Sequence, residues 1–328
     1  MKKIIGLLLV LFTITGCKTV NDENVLKEFS KILNETKSYT MEGSMRLLSN
    51  NEEYNYDVYV EFLKGDYYKV SLLNKNNATE QIILKNSDGV YVVTPSINKS
   101  FKFQSEWPNN SSQAYILETL LSDIQNDDER KFEVTDNGYI FDVEVNYPNN
   151  KLLINQKITF NDKNLPTKVE VFNEEGISQI TFNVKNINLK ANLKEENFSL
   201  ENSVNKDCCK TEESASLESV LYPTYLPLNT TFHSQETINT DDTERVILTF
   251  TGEKSFIMVE EAKKTPEEME VVSVYGDLTF VDDTIGAITD SSVMWTKGNV
   301  EYYISSQNLT SEELVSVASS ALTAAVSK

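Results

Sequence analysis

The spacing of hydrophobic positions along this chain switches repeatedly between the periods of a helix and of a strand. Over residues 24–37, Val25, Leu26, Phe29, Ile32 and Leu33 recur at helical spacing and predict an amphipathic helix with one apolar stripe. From Tyr39 the period is two. Tyr54, Tyr56, Val58 and Val60 alternate with polar positions, Tyr67, Tyr68 and Val70 follow Gly65-Asp66, and Ile82, Ile83 and Leu84 lead through Ser87-Asp88-Gly89 into Val90, Tyr91, Val92 and Val93. Such runs, punctuated by turn residues, predict hairpin-linked strands of an antiparallel sheet.

Residues 98–117, NKSFKFQSEWPNNSSQAYIL, compress three elements into twenty positions. Phe101 and Phe103 alternate with Lys102 and Gln104, so both rings project from one face of a strand. Trp107-Pro108 ends it, because proline cannot donate to a ladder. Asn110, Ser111 and Ser112 supply capping side chains for a helix whose stripe is Ile116, Leu117, Leu120, Leu121 and Ile124. This strand, corner and helix can fold back over the face carrying the two phenylalanines.

Further strands are predicted over 131–135, 139–146, 152–160, 166–172 and 178–184, with turns at Asn137-Gly138, Asn149-Asn150 and Glu175-Gly176. Two helices and a long run of antiparallel strands imply a strongly curved sheet with the helices against its concave side. Residues 202–219 have little periodicity and read as a linker. Beyond it, LYPTYLPLNTTF opens an α+β pattern with strands around 246–250, 256–259, 270–275, 293–295 and 301–304, closed by a helix with capping-box spacing between Thr310 and Glu313.

The N-terminus changes the picture from a soluble sheet protein to an anchored one. MKKIIGLLLVLFTITGC places two lysines, a short apolar run and Ile14-Thr15-Gly16 ahead of Cys17, the order of a lipoprotein signal with its lipobox. The run is too short for a permanent transmembrane helix. Two acyl chains on Cys17, at about 0.8 kcal/mol per buried CH₂, are enough for stable anchoring. The expectation is a cell-membrane protein, lipid-anchored on the extracytoplasmic face.

Charge narrows the partners. The net charge is −20, and from Thr211 onward six lysines and arginines face twenty acids, a net of −14. That acidity argues against nucleic acid and favours a solvated surface or a basic partner. Chemistry is sparse. His233 is the lone histidine, the adjacent Cys208-Cys209 lack metal-site spacing, and no GxSxG, HExxH or phosphate loop occurs. No cofactor, metal or catalytic residue is therefore assigned. Glu260-Glu261 and Asp282-Asp283 are the carboxylate pairs on which a remote alternative, a carboxylate-dependent hydrolase, would rest; neighbours in a strand point to opposite faces, which makes solvated charge the simpler reading.

The lipobox, the N-terminal helix, the block ILKNSDGVYVVTPSINKSFKFQSEWPNNSSQAYILETLLSDI and the hairpin LPTKVEVFNEEG resemble the LolA-like sporulation and germination lipoproteins of low-GC Gram-positive bacteria, over about residues 24–200. The C-terminal part resembles a domain of unassigned function found attached to such proteins. The resemblance implies a mainly β (α+β) architecture: a LolA-like curved antiparallel half-barrel with helices on its concave side, plus a small C-terminal α+β domain. The organisation is a signal peptide over 1–16, a lipidated tether over 17–23, the half-barrel over 24–201, a linker over 202–219 and the acidic domain over 220–328. Some relatives act in spore formation or germination, and one type assists a cell-wall amidase. A fixed anchor and an acidic domain that offers a charged docking surface favour a non-enzymatic scaffold or accessory protein for a cell-envelope partner. The resemblance implies sporulation or spore germination as its setting. The alternative is an anchored carrier or sensor that takes an acyl chain in a groove lined by Tyr91, Val93, Phe101 and Phe103, under a lid formed by Leu117, Leu120 and Leu121.

Overall fold

A computed structural model describes residues 20–203, 216–240 and 243–323. Cys17, Cys208, Cys209, the signal segment and most of the expected linker lie outside the described residues.

The first helix, α1 (Asp22–Glu35), begins at Asn21, whose side chain accepts from the Asn24 amide at 2.9 Å. Its apolar stripe buries Val25, Phe29 and Leu33, with Phe29 edge-on to Phe160. Six strands follow: β1 (Ser38–Ser49), β2 (Glu52–Leu63), β3 (Tyr67–Asn74), β4 (Glu80–Asn86), β5 (Gly89–Thr94) and β6 (Lys99–Phe103). After a loop that contains a cis Trp107-Pro108 bond comes α2 (Leu117–Asn126), then β7 (Lys131–Thr135), β8 (Gly138–Glu144), β9 (Leu153–Asn161), β10 (Pro166–Asn173) and β11 (Ser178–Asn188). A four-residue helix, α3 (Leu200–Ser203), ends the first part.

The second part contains β12 (Leu221–Pro223), β13 (Thr230–Asn239), β14 (Thr243–Gly252), β15 (Phe256–Lys263), β16 (Glu270–Val274), β17 (Asp277–Val281), β18 (Thr284–Ile288), β19 (Ser292–Lys297), β20 (Val300–Ser305), α4 (Ser311–Ser319) and β21 (Ala321–Thr323). Thr310 and Glu313 form the expected reciprocal capping box of α4.

The eleven strands of the first part lie in one open antiparallel sheet in which β1 pairs with β11, so the runs β1–β6 and β7–β11 are joined through the first and last strands and β7 is an edge. Its inner face carries Met41, Met45, Tyr56, Val58, Val60, Val70, Ile83, Ile158, Val169 and Phe182, buried against α1 and α2. The twelfth strand comes from the second part: β16 pairs with β6 in the sheet's one parallel ladder, and through Tyr275-Gly276 the chain passes into β17, the edge of a separate seven-stranded sheet. A side chain cannot replace Gly276, which has φ +109° and whose Cβ would lie 2.2 Å from the Ile288 carbonyl oxygen. The second part thus contributes one strand to the sheet of the first, across the boundary expected near residue 220.

The register also corrects the expected groove. Val90 pairs with Phe103 and Val92 with Phe101, so these four side chains share the inner face. Tyr91 and Val93 point the opposite way, into an outer cluster with Ile82, Leu84 and Phe198. The reason is the two-residue period of a strand: in the unbroken apolar run of residues 90–93, alternate members must separate. The chain after β11 returns across this convex face, where the Phe198 carbonyl accepts from Asn86 Nδ2 at 2.9 Å.

Candidate functional site

The concave face is the natural candidate, and it is filled mainly by the protein's own side chains. Leu117, Leu120 and Ile124 of α2 are buried, with Leu121 packed partly exposed beside them, and Phe101, Phe103 and Trp107 belong to the same core. Helix α2 is therefore an interior element and not a cover over the groove. Its start also differs from expectation, because no side chain caps it. Ser112 is engaged elsewhere: its amide donates to the Asn146 carbonyl and its hydroxyl accepts from the Asn146 amide, both at 2.8 Å. The Leu117 amide instead donates to the Tyr39 hydroxyl at 3.4 Å, a tertiary substitute for a cap.

Two carboxyls enter this interior with α2. Glu118 accepts from the Tyr39 hydroxyl at 2.8 Å, and burial pushes its pKa up to about 7 against that hydrogen bond. Asp123 accepts from Gln156 Nε2 at 2.6 Å, and burial raises it to about 6. Each has its own partners, so they do not form a paired acid and base around a shared cleft.

The mouth of the half-barrel is covered by β17 and β18. Ile285 and Ala287 are buried in the inner core, with Leu278 and Phe280 packed against it. The turn between these strands is fastened by side chains from β2 to β4. The Tyr54 hydroxyl lies 2.7 Å from a Glu52 oxygen and 2.9 Å from an Asp282 oxygen. Tyr56 donates to the Asp283 carbonyl at 2.9 Å, and the amides of Asn74 and Asn77 donate to the Asp283 carboxylate at 3.1 and 2.9 Å. Gln81 bonds both ways with the Ile285 backbone, at 2.6 and 3.3 Å. Burial raises Asp282 to about 6. The hydrogen bond from Tyr54 acts against that rise, and one hydroxyl hydrogen cannot serve two carboxylates at once.

Further ties close the seam. Asn50 donates to the Ser319 carbonyl at 2.8 Å, Ser105 and Asn110 both donate to Asp277, and buried Lys99 of β6 pairs with Glu301 of β20. One cleft at the mouth, of about 180 Å³, has walls that include Leu47, Tyr115, Tyr147, Leu278 and Phe280 and carries exposed Leu152 at its rim. A second, of about 290 Å³, lies outside it along the seam between Asn50, Glu52, Tyr225, Asp282 and Ser319. Sequence reasoning missed the covering hairpin. Its signal was present as Leu278 and Phe280 alternating before Asp282-Asp283, a turn without the usual asparagine or glycine in which Asp282 adopts φ +55°.

Of the carboxylate pairs, Glu260-Glu261 separates as the strand period requires, whereas Asp282-Asp283 occupies the β17–β18 turn with both carboxylates toward the half-barrel and Lys297. Glu260 is fully buried and accepts from the Leu221 amide at 3.0 Å, with burial raising it to about 7, whereas Glu261 faces Arg245 and Lys263. His233 lies exposed on β13. Among the described residues no three or more histidine, cysteine or acidic side chains are grouped to hold a metal, and no helix is long and apolar enough to cross a membrane.

No protein-family profile matches the chain. It is 34% identical over 319 residues to the sporulation protein YdcC of Bacillus subtilis (strain 168), covering 96% of this chain and 94% of that protein. Among solved structures it is similar to MucB, at 12% identity over 91% of this chain and 96% of that one with a TM-score of 0.36. A LolA-superfamily protein from Nitrosomonas europaea is 13% identical over 56% of this chain and 99% of that one, with a TM-score of 0.32.

Proposed function

The chain belongs to the family of the sporulation protein YdcC, and on that footing we propose that it is a membrane-anchored, extracytoplasmic scaffold, a non-enzymatic accessory to a cell-envelope protein during sporulation or germination. One observation carries the choice of scaffold over carrier. The concave face is packed with α1, α2 and the β17–β18 hairpin, leaving a cleft of about 180 Å³, below the ~300–1,000 Å³ of ordinary small-molecule pockets. A preorganised surface, tethered through two acyl chains on Cys17, suits local assembly. The acidity of residues 211–328 gives that surface a charge that speeds encounter with a basic partner.

The carrier reading keeps one support: the cleft walls are largely apolar, and exposed Leu152 stands at its rim. Affinity purification of the chain from detergent-solubilised envelopes of sporulating cells, over a series of salt concentrations and read by native mass spectrometry, separates the two. The scaffold predicts a discrete protein complex that weakens with salt and carries no lipid-sized adduct. An adduct of lipid mass, with no protein partner at any salt, would overturn it.

A further inference from the structure

The closed mouth accounts for the inward residues of the second domain, but not for the outer edge that this domain adds to the large sheet. We propose that β16 is a docking edge for an extended, basic segment of a partner protein, taken up as a further strand by main-chain pairing. The inference rests on the scaffold reading and gives it a surface and a partner chemistry.

Strand β16 terminates the twelve-stranded sheet, with β6 on one side and no strand of the described residues on the other. The Glu270 amide donates to the Asn98 carbonyl at 2.9 Å, and the parallel register runs unbroken from Glu270 opposite Lys99 to Val274 opposite Phe103. Because alternate residues of a strand bond to opposite sides, Val271 and Ser273 direct their N–H and C=O groups to the open side. Val272 and Val274 pack against the inner core and hold the strand in place. On the outside Val271 is 49% exposed and Tyr275 74% exposed.

Open edges are ordinarily blunted by lysine, proline, a bulge or a covering segment. The edge strand β7 carries Lys131, and β13 has a register shift between Phe232 and Ser234. Strand β16, Glu-Val-Val-Ser-Val, has neither lysine nor proline, and its register is unshifted. Its surroundings select the charge of the occupant. Glu267, Glu268 and Glu270 are exposed at the start of the strand, while the next carboxylates along the chain, Asp277, Asp282 and Asp283, are tied to the half-barrel at the seam. Lys99, 3.9 Å from Glu270, is already paired with Glu301. A strand alternating basic and β-branched residues complements both the free backbone groups and the acids.

The test is fluorescence anisotropy on the full chain carrying Cys17→Ser, with a labelled octapeptide of alternating lysine and valine as the probe. The expected result is salt-sensitive binding, while a lysine–proline octapeptide of equal charge, which lacks the alternate donors, does not bind. Glu267→Lys with Glu268→Lys weakens the probe at least about tenfold. Ser273→Pro, which deletes an outward N–H and leaves the bonds to β6, does the same at unchanged melting temperature. Equal binding of both peptides, or of the probe to every variant, overturns the proposal. So does a concentration-dependent dimer abolished by Ser273→Pro, which would make a second copy the occupant. Because the probe needs no native partner, this test is independent of the scaffold reading. An envelope partner retained equally by Ser273→Pro would remove the docking edge and leave the scaffold standing.

Discussion

Tyr54 offers one hydroxyl hydrogen to Glu52 and Asp282, and so joins a strand of the half-barrel to the turn that covers it. Replacing it with phenylalanine removes the donor and leaves Asp282 half-buried beside Asp283 with only distant Lys297, 3.9 Å away, as compensation. Tyr54→Phe is expected to lower unfolding stability by about 1–3 kcal/mol, read as a lower urea midpoint. A change within error would show that the Asn74, Asn77 and Gln81 contacts suffice by themselves. At this scale the sequence is only partly legible. Phe101 and Phe103 fall on one face because a single lysine separates them, whereas the apolar run of residues 90–93 gives no sign of which members face inward. That is decided by the return of Phe198 over the convex side, from more than a hundred residues away.

Among elements, α2 shows most clearly what periodicity can and cannot carry. Its stripe is readable, but its N-terminus is not, because Ser112 binds Asn146 and a tyrosine from β1 serves the first amide. The burial difference along the helix makes a direct prediction. Leu120→Ala should cost about 2–5 kcal/mol by leaving a cavity in the inner core, and Leu121→Ala, at a partly exposed position, clearly less. Equal losses in denaturant titrations would contradict the placement of the helix. Strand β16 is legible as a strand and illegible as to its sheet: five residues of Val-rich sequence cannot state which edge they join, and the ladder to β6 is set by the path of the whole second domain.

For the whole molecule, one buried and three half-buried carboxyls set the pH response. Glu118 and Glu260 are raised to about 7, and Asp123 and Asp282 to about 6, in each case chiefly by burial. Their folded-state values lie above their unfolded ones, so the folded chain binds more protons in between, and stability falls as pH rises from about 4 through about 7. A tenfold difference in proton affinity between the folded and unfolded chain is worth about 1.4 kcal/mol. Asp57, Glu261 and Glu313 are lowered and act in the opposite sense, Asp57 at ion pairs open to solvent, where such effects are screened, and Glu261 and Glu313 at partly covered ones that offset part of the fall. Denaturant titration should therefore find the chain less stable at about pH 7.5 than at about pH 5, with Glu118→Gln reducing the slope. A flat or rising profile would contradict the burial of these groups.

The scaffold requires that the second domain hold the half-barrel closed. Hydrogen–deuterium exchange of the full chain carrying Cys17→Ser measures this directly. If β17 and β18 are part of the core, the ladder amides of residues 284–288 and of β16 should exchange as slowly as those of β1 and β2, through one cooperative opening. Exchange of residues 270–288 orders of magnitude faster than the β1–β2 ladder would mean that the mouth opens on its own, and would return the concave face to the role of an accessible groove.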